Sequence, residues 1–422
     1  MPTPPPDDAR GAALPGSPAP APRSARLPDD VLVLDGPGSA AEPGGPAGLL
    51  ERLEGVLSRP GPAVVVSTSG STGRPKRTVL TSESLRASGE ATAARTGGHG
   101  QWLLCLPAHY VAGIQVLARS ALAGTRPVGM PEGSFDPSAF ARATAGLDGP
   151  VRHVSLVPTQ LARLVEAAEA PGGHEVRTAL AAFDAVLLGG SAASARLLER
   201  ARRLGARVVT TYGMSETCGG CVYDGRPLDG VGVRVEPDGP PEGEQAPGPE
   251  DAAGRIWLGG EVVTPGYLDD EAQTARHVRV IDGRRWYRTD DLGRWDGCRL
   301  SVSGRADDVV VTGGIKVSAG VVAQELLRDP DVREAVVLGL PDPRWGQAVA
   351  ALIVPEPGPG GDADGDPAAA GELTERLSAA VREALGAPAV PKHWELARKL
   401  PLLPTGKPDR AAIRALLERR RG

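Results

Sequence analysis

Residues 67–76 read STSGSTGRPK and follow directly on the apolar run AVVV. The two glycines permit backbone conformations that are closed to other residues, and they let main-chain N–H groups approach an anion. The serine and threonine hydroxyls add donors and Lys76 adds a positive charge, so the loop is suited to a polyphosphate. It is not a Walker A loop, because Lys76 is followed by Arg77 and not by serine or threonine. Taken alone, such a loop is also compatible with a plain flexible turn.

The lysine that ends this loop is informative because lysine is rare in this chain. Of the 47 lysine and arginine residues, only five are lysine: Lys76, Lys316, Lys392, Lys399 and Lys407. Lysine is a compact charge on a flexible stem, whereas arginine is a broad planar fork. Each of the five is therefore a candidate for a narrow site that admits one cationic nitrogen, with chance retention as the alternative. We expect Lys392 and Lys399, which no motif explains, to lie on the surface.

The overall composition describes a folded chain with an unstructured start. A hydrophobic content of 41% supports a core, although aromatic residues make up only 3%. Residues 1–28 are rich in proline and lack apolar periodicity, so we expect a disordered tail there. We find no signal peptide and no apolar run of about 18 residues, and the net charge of -5 gives no reason to expect nucleic acid. The sequence therefore predicts a cytoplasmic protein without membrane insertion, and it leaves the oligomeric state open.

Strand-like runs alternate with amphipathic helices through most of the chain. The predicted strands are AVVVST, WLLCLP, VRHVSLVP, DAVLLGG, RVVTTYG and GRIWLGG. The predicted helices occupy residues 47–59, 159–170 and 194–205. This alternation favours a large N-terminal α/β domain with buried strands, which we place at residues 29–305.

The pattern changes after residue 305. A strand, a turn and a second strand are predicted at 333–355, followed by a low-complexity insert at 356–372 and a helix at 373–385. We therefore predict a small, separate α+β domain at residues 306–422. Residues 237–252, rich in glycine, proline and glutamate, are expected to form an exposed loop.

Two of the four cysteines, Cys218 and Cys221, form a CxxC pattern. A zinc site would need a second pair of ligands at suitable spacing, and the sequence offers none. A redox role is an alternative. We favour the interpretation that both are small residues beside a pocket.

Four further stretches carry charged or hydroxyl residues in loop-like contexts. They are TTYGMSET (210–217), YRTDDLGRW (287–295), SGRADDVVVTGGIKVS (303–318) and LPLLPTGKPDR (400–410). Each alone is compatible with a solvated acidic loop or a terminal turn. A carboxylate close to a triphosphate usually holds Mg²⁺, which keeps most of its water ligands. The occurrence of all four in order after the 67–76 loop indicates one nucleotide site.

This order of motifs resembles the adenylate-forming superfamily, which comprises acyl-CoA synthetases, luciferases and the adenylation domains of peptide synthetases. The resemblance covers residues 62–410 and implies a large N-terminal domain, a hinge and a small mobile C-terminal domain. It also implies a reaction in two halves. A carboxylate attacks the α-phosphate of ATP to give an acyl-adenylate, and the thiol of coenzyme A then displaces AMP. ATP, Mg²⁺ and coenzyme A are therefore the expected ligands.

The resemblance implies roles for individual residues. The residues expected to hold the β- and γ-phosphates are Ser67, Thr68, Ser69, Gly70, Ser71, Thr72, Gly73 and Lys76. The other residues expected to bind ATP are Gly189, Gly190, Thr211, Tyr212, Asp291 and Arg305, and Ser191 is expected to bind the acid together with His109, Gln115 and Arg119. Among these, Thr211 would contact the α-phosphate, Asp291 the ribose hydroxyls, and the 189–191 segment the adenine and the acid.

Four residues are expected to have other functions. Glu216 would bind Mg²⁺, and Lys407 would steady the charge that develops during adenylation. Asp307 matches the hinge position, and His109 matches the aromatic residue that gates the acid pocket. The chain departs from the superfamily in three ways: it has Arg77 where many relatives have glycine, Asp290 before Asp291 where they have glycine, and little sequence before the phosphate loop.

The stretch LPAHYVAGIQVLARSALAG (106–124) resembles the corresponding stretch of 2-succinylbenzoate–CoA ligases, members of the superfamily in menaquinone biosynthesis. Gln115 and Arg119 are four residues apart and therefore share one helix face. Arg119 is expected to pair with the second carboxylate of an aromatic dicarboxylate substrate, unless its stem only extends to solvent. The alternatives are another aryl- or fatty-acyl-CoA ligase, an amino-acid-activating enzyme, or a non-catalytic nucleotide-binding relative.

Overall fold

A computed structural model describes residues 16–36, 45–68, 76–131, 133–237, 253–356, 367–403 and 406–419 of the chain. The helices of the first 305 residues are α1 (Gly45–Leu57), α2 (Ser82–Thr96), α3 (Val111–Ala123), α4 (Pro137–Thr144), α5 (Pro158–Glu169), α6 (His174–Ala181), α7 (Ala195–Arg203) and α8 (Glu271–His277). The strands of this part are β1 (Ser17–Pro18), β2 (Leu32–Leu34), β3 (Pro62–Thr68), β4 (Lys76–Thr81), β5 (Gln101–Leu104), β6 (Val128–Gly129), β7 (Arg152–Leu156), β8 (Ala185–Leu188), β9 (Val208–Met214), β10 (Gly219–Tyr223), β11 (Arg226–Pro227), β12 (Gly232–Glu236), β13 (Gly254–Gly259), β14 (Val278–Ile281), β15 (Arg284–Trp295) and β16 (Leu300–Arg305).

The largest sheet has the strand order β11-β10-β9-β8-β7-β5-β6. Its strands from β6 to β9 are parallel, and β10 turns back antiparallel to β9. Parallel strands covered on both faces consist of nearly continuous apolar residues, and all four residues of β8 are buried. Leu187 packs on the side of α1 and α3, whereas Val186 and Leu188 pack on the side of α4 to α7. The predicted α/β architecture is confirmed.

Local capping interactions fix where several helices begin. Helix α2 starts with a reciprocal cap, in which Thr81 Oγ1 accepts from Ser84 N at 3.2 Å and Thr81 N donates to Ser84 Oγ at 3.1 Å. The side chain of Ser194 accepts from Leu197 N at 3.2 Å at the start of α7. This second cap matters for the site, because α7 contacts the C-terminal part of the chain.

Two smaller sheets complete the first part of the chain. Strands β2, β3 and β4 form one, in that order. The other has the order β1-β14-β15-β13-β12, with β16 paired to β15. The predicted disordered tail at residues 1–28 is wrong for its second half, because Ser17 pairs with Val280 and Ala19 is buried. The prolines of this segment interrupt the alternation of apolar and polar residues that indicates a strand. Strand β1 is a two-residue edge strand, which is too short to show such an alternation and tolerates proline.

The last part of the chain contains α9 (Ala319–Leu326), α10 (Pro367–Leu385) and α11 (Arg410–Arg419). Its strands are β17 (Val309–Thr312), β18 (Ile315–Ser318), β19 (Val332–Asp342), β20 (Gly346–Pro355) and β21 (His393–Leu396). They form a separate sheet in the order β18-β17-β20-β19, with β21 beside β20. Helices α9 and α10 cover one face and α11 covers the other. Sheet membership therefore changes between Arg305 and Val309.

Two predicted segments differ from the structure or lie outside it. Helix α10 begins at Pro367, so the predicted insert at 356–372 is too long at its C-terminal end. Its alanines are good helix formers, and the proline stands at the first helical position, where no backbone N–H is needed. The predicted loop at 237–252 lies, except for its first residue, outside the described residues. No helix that the structure describes is both long and apolar enough to cross a bilayer.

Candidate active site

The carboxyl edge of the parallel sheet opens into a cavity of about 740 Å³. Strand β8 ends at this edge and is followed by Gly189, Gly190 and Ser191, and β9 brings Thr211 and Tyr212 beside them. A Cβ atom on Gly189 would lie 2.4 Å from Thr211 Oγ1, so only glycine fits against this hydroxyl. Open α/β sheets bind ligands at this edge, outside the carboxyl ends of their strands.

The cavity lies between the two parts of the chain. Gly190, Ser191, Thr211, Tyr212, Asp291 and Arg305 line it from the first part, and Lys407 and Arg410 line it from the second. The structure therefore brings together the nucleotide-site residues that the motifs predicted at residues 190–191, 211–212, 291, 305 and 407. Their roles remain predictions.

Asp291 is held between a hydroxyl and a guanidinium. Tyr212 donates its phenolic hydrogen to Asp291 Oδ2 at 2.7 Å, and Arg305 Nη1 lies 3.7 Å from Asp291 Oδ1. Burial raises the pKa of Asp291, whereas Tyr212 and Arg305 counteract this shift. Burial, reinforced by the charge of Asp291, raises the pKa of Tyr212 well above its usual value, so this side chain remains a neutral donor.

Arg305 connects the site to the predicted hinge. Its Nε and Nη2 donate to the two carboxylate oxygens of Asp307 at 2.7 and 2.8 Å. Hydrogen bonding to Asp307 is the largest cause that raises the pKa of Arg305. Arg305 Nη2 also lies 3.7 Å from Asp290 Oδ2, which in turn lies near Arg255. One guanidinium thus faces the aspartates of β15 and the aspartate at the change of sheet.

Lys407 enters the cavity from a turn before α11. Thr159 Oγ1 donates to the carbonyl oxygen of Gly406 at 3.3 Å, which attaches this turn to the start of α5. Burial lowers the pKa of Lys407 from its usual 10.5, with Arg305 in the same direction and Glu216 and Asp291 opposing. Since Lys407 still contacts the solvent of the cavity, this burial reflects crowding by protein around an open space.

Glu216 does not line this cavity, but its charge acts on Lys407, and its own environment is nearly closed. It is 7% exposed, and its Oε1 accepts the hydroxyl of Tyr267 at 2.6 Å. The hydroxyls of Tyr267 and Tyr287 lie 3.1 Å apart. Burial is the largest cause that raises the pKa of both tyrosines, and the charge of Glu216 adds to it. Both therefore stay protonated, and Glu216 keeps a permanent donor.

The residues around Glu216 fit a magnesium ion that is bound mainly by phosphates and water. The described residues contain no group of three or more histidine, cysteine, aspartate or glutamate side chains that could hold a metal by themselves. Mg²⁺ retains several waters and usually takes only one or two protein carboxylates beside substrate phosphates. A single buried carboxylate, fixed through one of its two oxygens, matches that requirement.

The ends of the predicted phosphate loop are described, and its centre is not. Ser67 Oγ donates to Asp35 Oδ1 at 2.8 Å, and Arg77 Nε lies 3.5 Å from the same oxygen. Lys76 Nζ lies 5.5 Å from the centroid of the Tyr267 ring. Ser69, Gly70, Ser71, Thr72 and Gly73, together with the side chain of Thr68, lie outside the described residues. Asp35 thus fixes both strands that carry the loop.

His109, Gln115 and Arg119 are buried on or next to α3, and none of them lines the 740 Å³ cavity. Burial lowers the pKa of His109, which keeps the ring neutral at pH 7. Gln115 Nε2 donates to the carbonyl oxygen of Cys218 at 2.6 Å, two residues beyond Glu216. His109 Nε2, Gln115 Oε1 and Arg119 Nε are buried without a hydrogen-bond partner. Buried polar atoms without partners are uncommon, and they indicate an absent ligand or water.

Cys218 and Cys221 are both fully buried and unpaired. Burial raises the pKa of each thiol to about 12. A thiol with so high a pKa carries almost no thiolate at neutral pH, and the thiolate is the reactive form. The structure therefore favours the structural interpretation of the CxxC pattern over the redox one.

Tyr267 and Tyr287 were missed from the sequence, although a signal was present. The chain has only five tyrosines. Three of them, Tyr212, Tyr267 and Tyr287, form hydrogen bonds to the carboxylates of Asp291 or Glu216 or to one another. The rarity that drew attention to the lysines applies equally to tyrosine.

Comparisons with known proteins agree with this arrangement. The sequence matches the AMP-binding enzyme family over residues 23–268 and the AMP-binding enzyme C-terminal domain over residues 322–407. The probable 2-succinylbenzoate–CoA ligase of Mycobacterium tuberculosis is 40% identical over 355 residues, which is 83% of this chain and 83% of that protein. The sulfoacetate–CoA ligase of Cupriavidus necator is 33% identical over 370 residues, which is 83% of this chain and 66% of that protein.

A solved structure shows the same fold. The o-succinylbenzoate CoA synthetase of Bacillus subtilis, in complex with its acyl-adenylate intermediate, superposes with a TM-score of 0.65 at 28% identity. The match covers 84% of this chain and 69% of that one. The two-part architecture is therefore that of a known fold.

Proposed function

The chain belongs to the AMP-binding enzyme family and is an adenylate-forming acid–thiol ligase, and we propose that it joins 2-succinylbenzoate to coenzyme A. The first half of the reaction would take place in the cavity between the two domains. A carboxylate oxygen of the acid attacks the α-phosphorus of ATP, the bond from this phosphorus to the bridging oxygen breaks, and pyrophosphate leaves with the electron pair. The products are an acyl-adenylate and pyrophosphate.

The residues that line the cavity suit this step. Negative charge grows on the α-phosphate and on the leaving group, and preorganised cations and donors stabilise it. Lys407 supplies the cation and Thr211 a hydroxyl, both at the cavity wall. Asp291 accepts hydrogen bonds from the ribose hydroxyls, which places the nucleotide along β15. Glu216 would hold the magnesium ion, which neutralises part of the charge of the triphosphate when it is bound.

The second half of the reaction needs space for the thiol beside the acyl carbon. The sulfur of coenzyme A, as the thiolate, attacks this carbon, the bond to the adenylate oxygen breaks, and AMP leaves. Lys407 occupies the cavity in the present arrangement. The C-terminal domain therefore has to rotate, with Asp307 as the pivot, before the thiol can enter.

One observation carries the choice of acid. Arg119 is 5% exposed, and no carboxylate of the described residues pairs with it. Its guanidinium lies 5.1 Å from the centroid of the Trp102 ring, which compensates only part of the cost of burial. Removing one partner of a buried ion pair typically costs about 3–5 kcal/mol, because it leaves an uncompensated charge. An anionic substrate group would supply the missing partner.

2-Succinylbenzoate has a carboxylate to spare for this role. The succinyl carboxylate is activated, and the ring carboxylate then needs a cation. The relatives from Mycobacterium tuberculosis and Cupriavidus necator are named for acids that carry a second anionic group. Fatty acids and benzoate have no second anion, so a buried arginine would disfavour them. The proposal requires the ring end of the acid to reach α3, beyond the residues that line the described cavity.

Substitution of Arg119 tests the choice of acid. We expect Arg119→Leu to lower kcat/KM for 2-succinylbenzoate on the order of 10–100-fold more than for its analogue without the ring carboxylate, because only the diacid loses a charged hydrogen bond. Without ligand, the variant should unfold at the same or a higher temperature, since an unpaired buried charge has been removed. Arg95→Leu, at an exposed arginine on the neighbouring α2, controls for the loss of a charge.

Two outcomes would contradict the proposal at different levels. Equal losses with the diacid and the analogue would show that Arg119 does not read the ring carboxylate. A wild-type preference for benzoate, a fatty acid, an amino acid or sulfoacetate over 2-succinylbenzoate would rule out the proposed substrate. Coenzyme A thioester formation in this panel is followed by mass spectrometry.

A further inference from the structure

The side chain of Tyr267 contacts two residues that are expected to act on the triphosphate, Glu216 and Lys76. The hydroxyl of Tyr267 donates to Glu216 Oε1 at 2.6 Å. The ring of the same tyrosine has Lys76 Nζ 5.5 Å from its centroid. Glu216 follows β9 of the large sheet, whereas Lys76 begins β4 of a different sheet. Tyr267 therefore connects the residues at the end of β9 and at the start of β4, although these two strands belong to different sheets.

Tyr267 is itself held in a fixed position. It is 1% exposed, and its backbone N donates to Thr274 Oγ1 at 3.0 Å. The residue forms an isolated antiparallel bridge with Thr78, two positions after Lys76 on β4. Its hydroxyl has a second contact, with the Tyr287 hydroxyl at 3.1 Å. A ring fixed from its backbone and its hydroxyl has little freedom to turn.

We propose that Tyr267 is a positioning residue for the ATP half-reaction, which directs Glu216 through its hydroxyl and Lys76 through its ring. A hydrogen bond to one carboxylate oxygen fixes the plane of the carboxylate, so the other oxygen keeps one direction toward a metal ion. A cation over an aromatic face is attracted by the negative charge of that face, which keeps the ammonium group on the loop side. Tyr267 acts through these two groups and needs no contact with the nucleotide.

Two substitutions separate the hydroxyl from the ring. Tyr267→Phe removes only the hydroxyl, and Tyr267→Leu removes the ring as well. Calorimetry then measures the affinity of the full-length protein for ATP with Mg²⁺ and for ATP with a chelator. We expect Tyr267→Phe to reduce the gain in affinity that Mg²⁺ provides by about 10-fold or more, because outer partners of metal ligands have effects of this size. The affinity for metal-free ATP should stay that of the wild type.

Tyr267→Leu tests the contact with Lys76. We expect this variant to lose affinity for metal-free ATP in addition, because Lys76 no longer has an aromatic face beneath it. If the leucine variant fails to fold, the phenylalanine variant still decides the role of the hydroxyl, because it preserves the packing of the ring. Metal-free affinity that is equal in the wild type and a folded leucine variant would overturn the role of the ring.

Tyr223→Phe is the matched control. Tyr223 is also 1% exposed, and its hydroxyl contacts Thr92 Oγ1 at 3.0 Å and not the carboxylate of Glu216. A purely structural effect predicts that Tyr223→Phe and Tyr267→Phe lower the melting temperature and the binding of ATP alike. The positioning role predicts that only Tyr267→Phe changes the dependence on Mg²⁺. Equal dependence in the two variants would overturn the inference.

This inference rests on the proposed function only as far as ATP and Mg²⁺ are concerned. The calorimetric measurement contains no acid and no coenzyme A. A wild-type protein that binds ATP with Mg²⁺ but ignores 2-succinylbenzoate would therefore refute the substrate and leave Tyr267 under test. A diacid-specific enzyme with an unaltered Tyr267→Phe variant would do the reverse.

Discussion

Lys407 and Arg305 show how single residues set the chemistry of the cavity. Both bring positive charge to one space, with Asp291 and Glu216 as the nearby anions. Crowding by protein disfavours the charged form of Lys407, whereas Arg305 stays charged beside Asp307. Of the two cations, only Lys407 can therefore lose its proton within a useful range of pH, and the rate of adenylation should report this.

We expect the adenylation half-reaction to lose kcat/KM for ATP on the alkaline side, with an apparent pKa below the ordinary 10.5 of lysine. The sign follows from the direction of the shift: burial lowers the pKa, so the required ammonium form is lost at a lower pH. Pyrophosphate release between pH 7 and 10 measures this limb. In Lys407→Arg any remaining activity should keep its rate to higher pH, because arginine stays charged.

An alkaline limb that is identical in wild type and Lys407→Arg would mean that another group titrates. The same result would remove Lys407 from the account of the charge that develops on the α-phosphate.

Rarity made part of the site predictable at the residue scale. The five lysines stood out in a chain that otherwise uses arginine, and the structure places Lys76 against Tyr267, which donates to Glu216, and Lys407 close to Glu216 and Asp291. Lys392 and Lys399 are exposed, as predicted, and Lys392 Nζ lies 6.0 Å from the centroid of the Trp345 ring. Rarity could have drawn attention to Tyr267, but its hydrogen bond to Glu216 was not predictable, because Glu216 is 51 residues away and no local pattern records that contact.

Helices α5 and α7 carry the contacts that hold the two domains in the present arrangement. Arg333 Nη1 donates to Glu166 Oε1 on α5 at 3.0 Å. Arg200 on α7 lies between Glu169, at 2.7 Å, and Glu356 of the C-terminal domain, at 3.2 Å. The side chains of Arg200 and Glu356 are each only 15% exposed. The two pairs that cross between the domains, Arg333–Glu166 and Arg200–Glu356, are formed while Lys407 lies in the cavity, and a rotation of the C-terminal domain has to break them.

Glu356→Gln is expected to slow adenylation and to leave thioester formation from added acyl-adenylate unchanged. Arg200 keeps Glu169, so no buried charge is left alone, and the loss of one such pair is about 1 kcal/mol or less. That amounts to at most about a fivefold change in the population of the docked arrangement. Single-turnover rates of the two half-reactions, with and without added salt, measure the effect.

Glu199→Gln is the control on the same helix. Glu199 pairs with Arg203 at 2.9 Å within α7, and both side chains are more than 60% exposed. The Glu199→Gln variant should carry out both half-reactions at the wild-type rates. If Glu356→Gln slows both halves equally, or neither, the contacts of α7 do not select the adenylating arrangement.

Elements were predictable where burial forces a simple pattern. Strand β8 reads as an uninterrupted apolar run because both of its faces are covered, and α5 shows its apolar face at helical spacing. Strand β1 and the first turn of α10 were missed for the opposite reason. Strand β1 has two exposed residues, and the alanines of α10 resemble the low-complexity segment that precedes them.

At the scale of the whole molecule, two domains share one cavity. The motifs predicted that the residues at 211, 291, 305 and 407 belong to one site, since their order resembles that of a known superfamily. The sequence could not predict the arrangement of the domains, because it depends on ion pairs such as Arg333–Glu166, which join residues 167 positions apart. The same limit applies to the position of Arg119, which is buried on α3 and does not line the described cavity.

The central claim is that this chain activates 2-succinylbenzoate as an adenylate and needs Lys407 only for that step. The most direct measurement is a quenched single turnover with the diacid, ATP and Mg²⁺, first without coenzyme A and then with it, analysed by mass spectrometry. The account predicts one acyl-adenylate and one pyrophosphate per site, followed by acyl-CoA and AMP after the thiol is added. Lys407→Ala should lower the first step on the order of 10²–10³-fold and leave the second near the wild-type rate. Formation of ADP and an acyl phosphate, or equal losses of both steps in Lys407→Ala, would contradict the account.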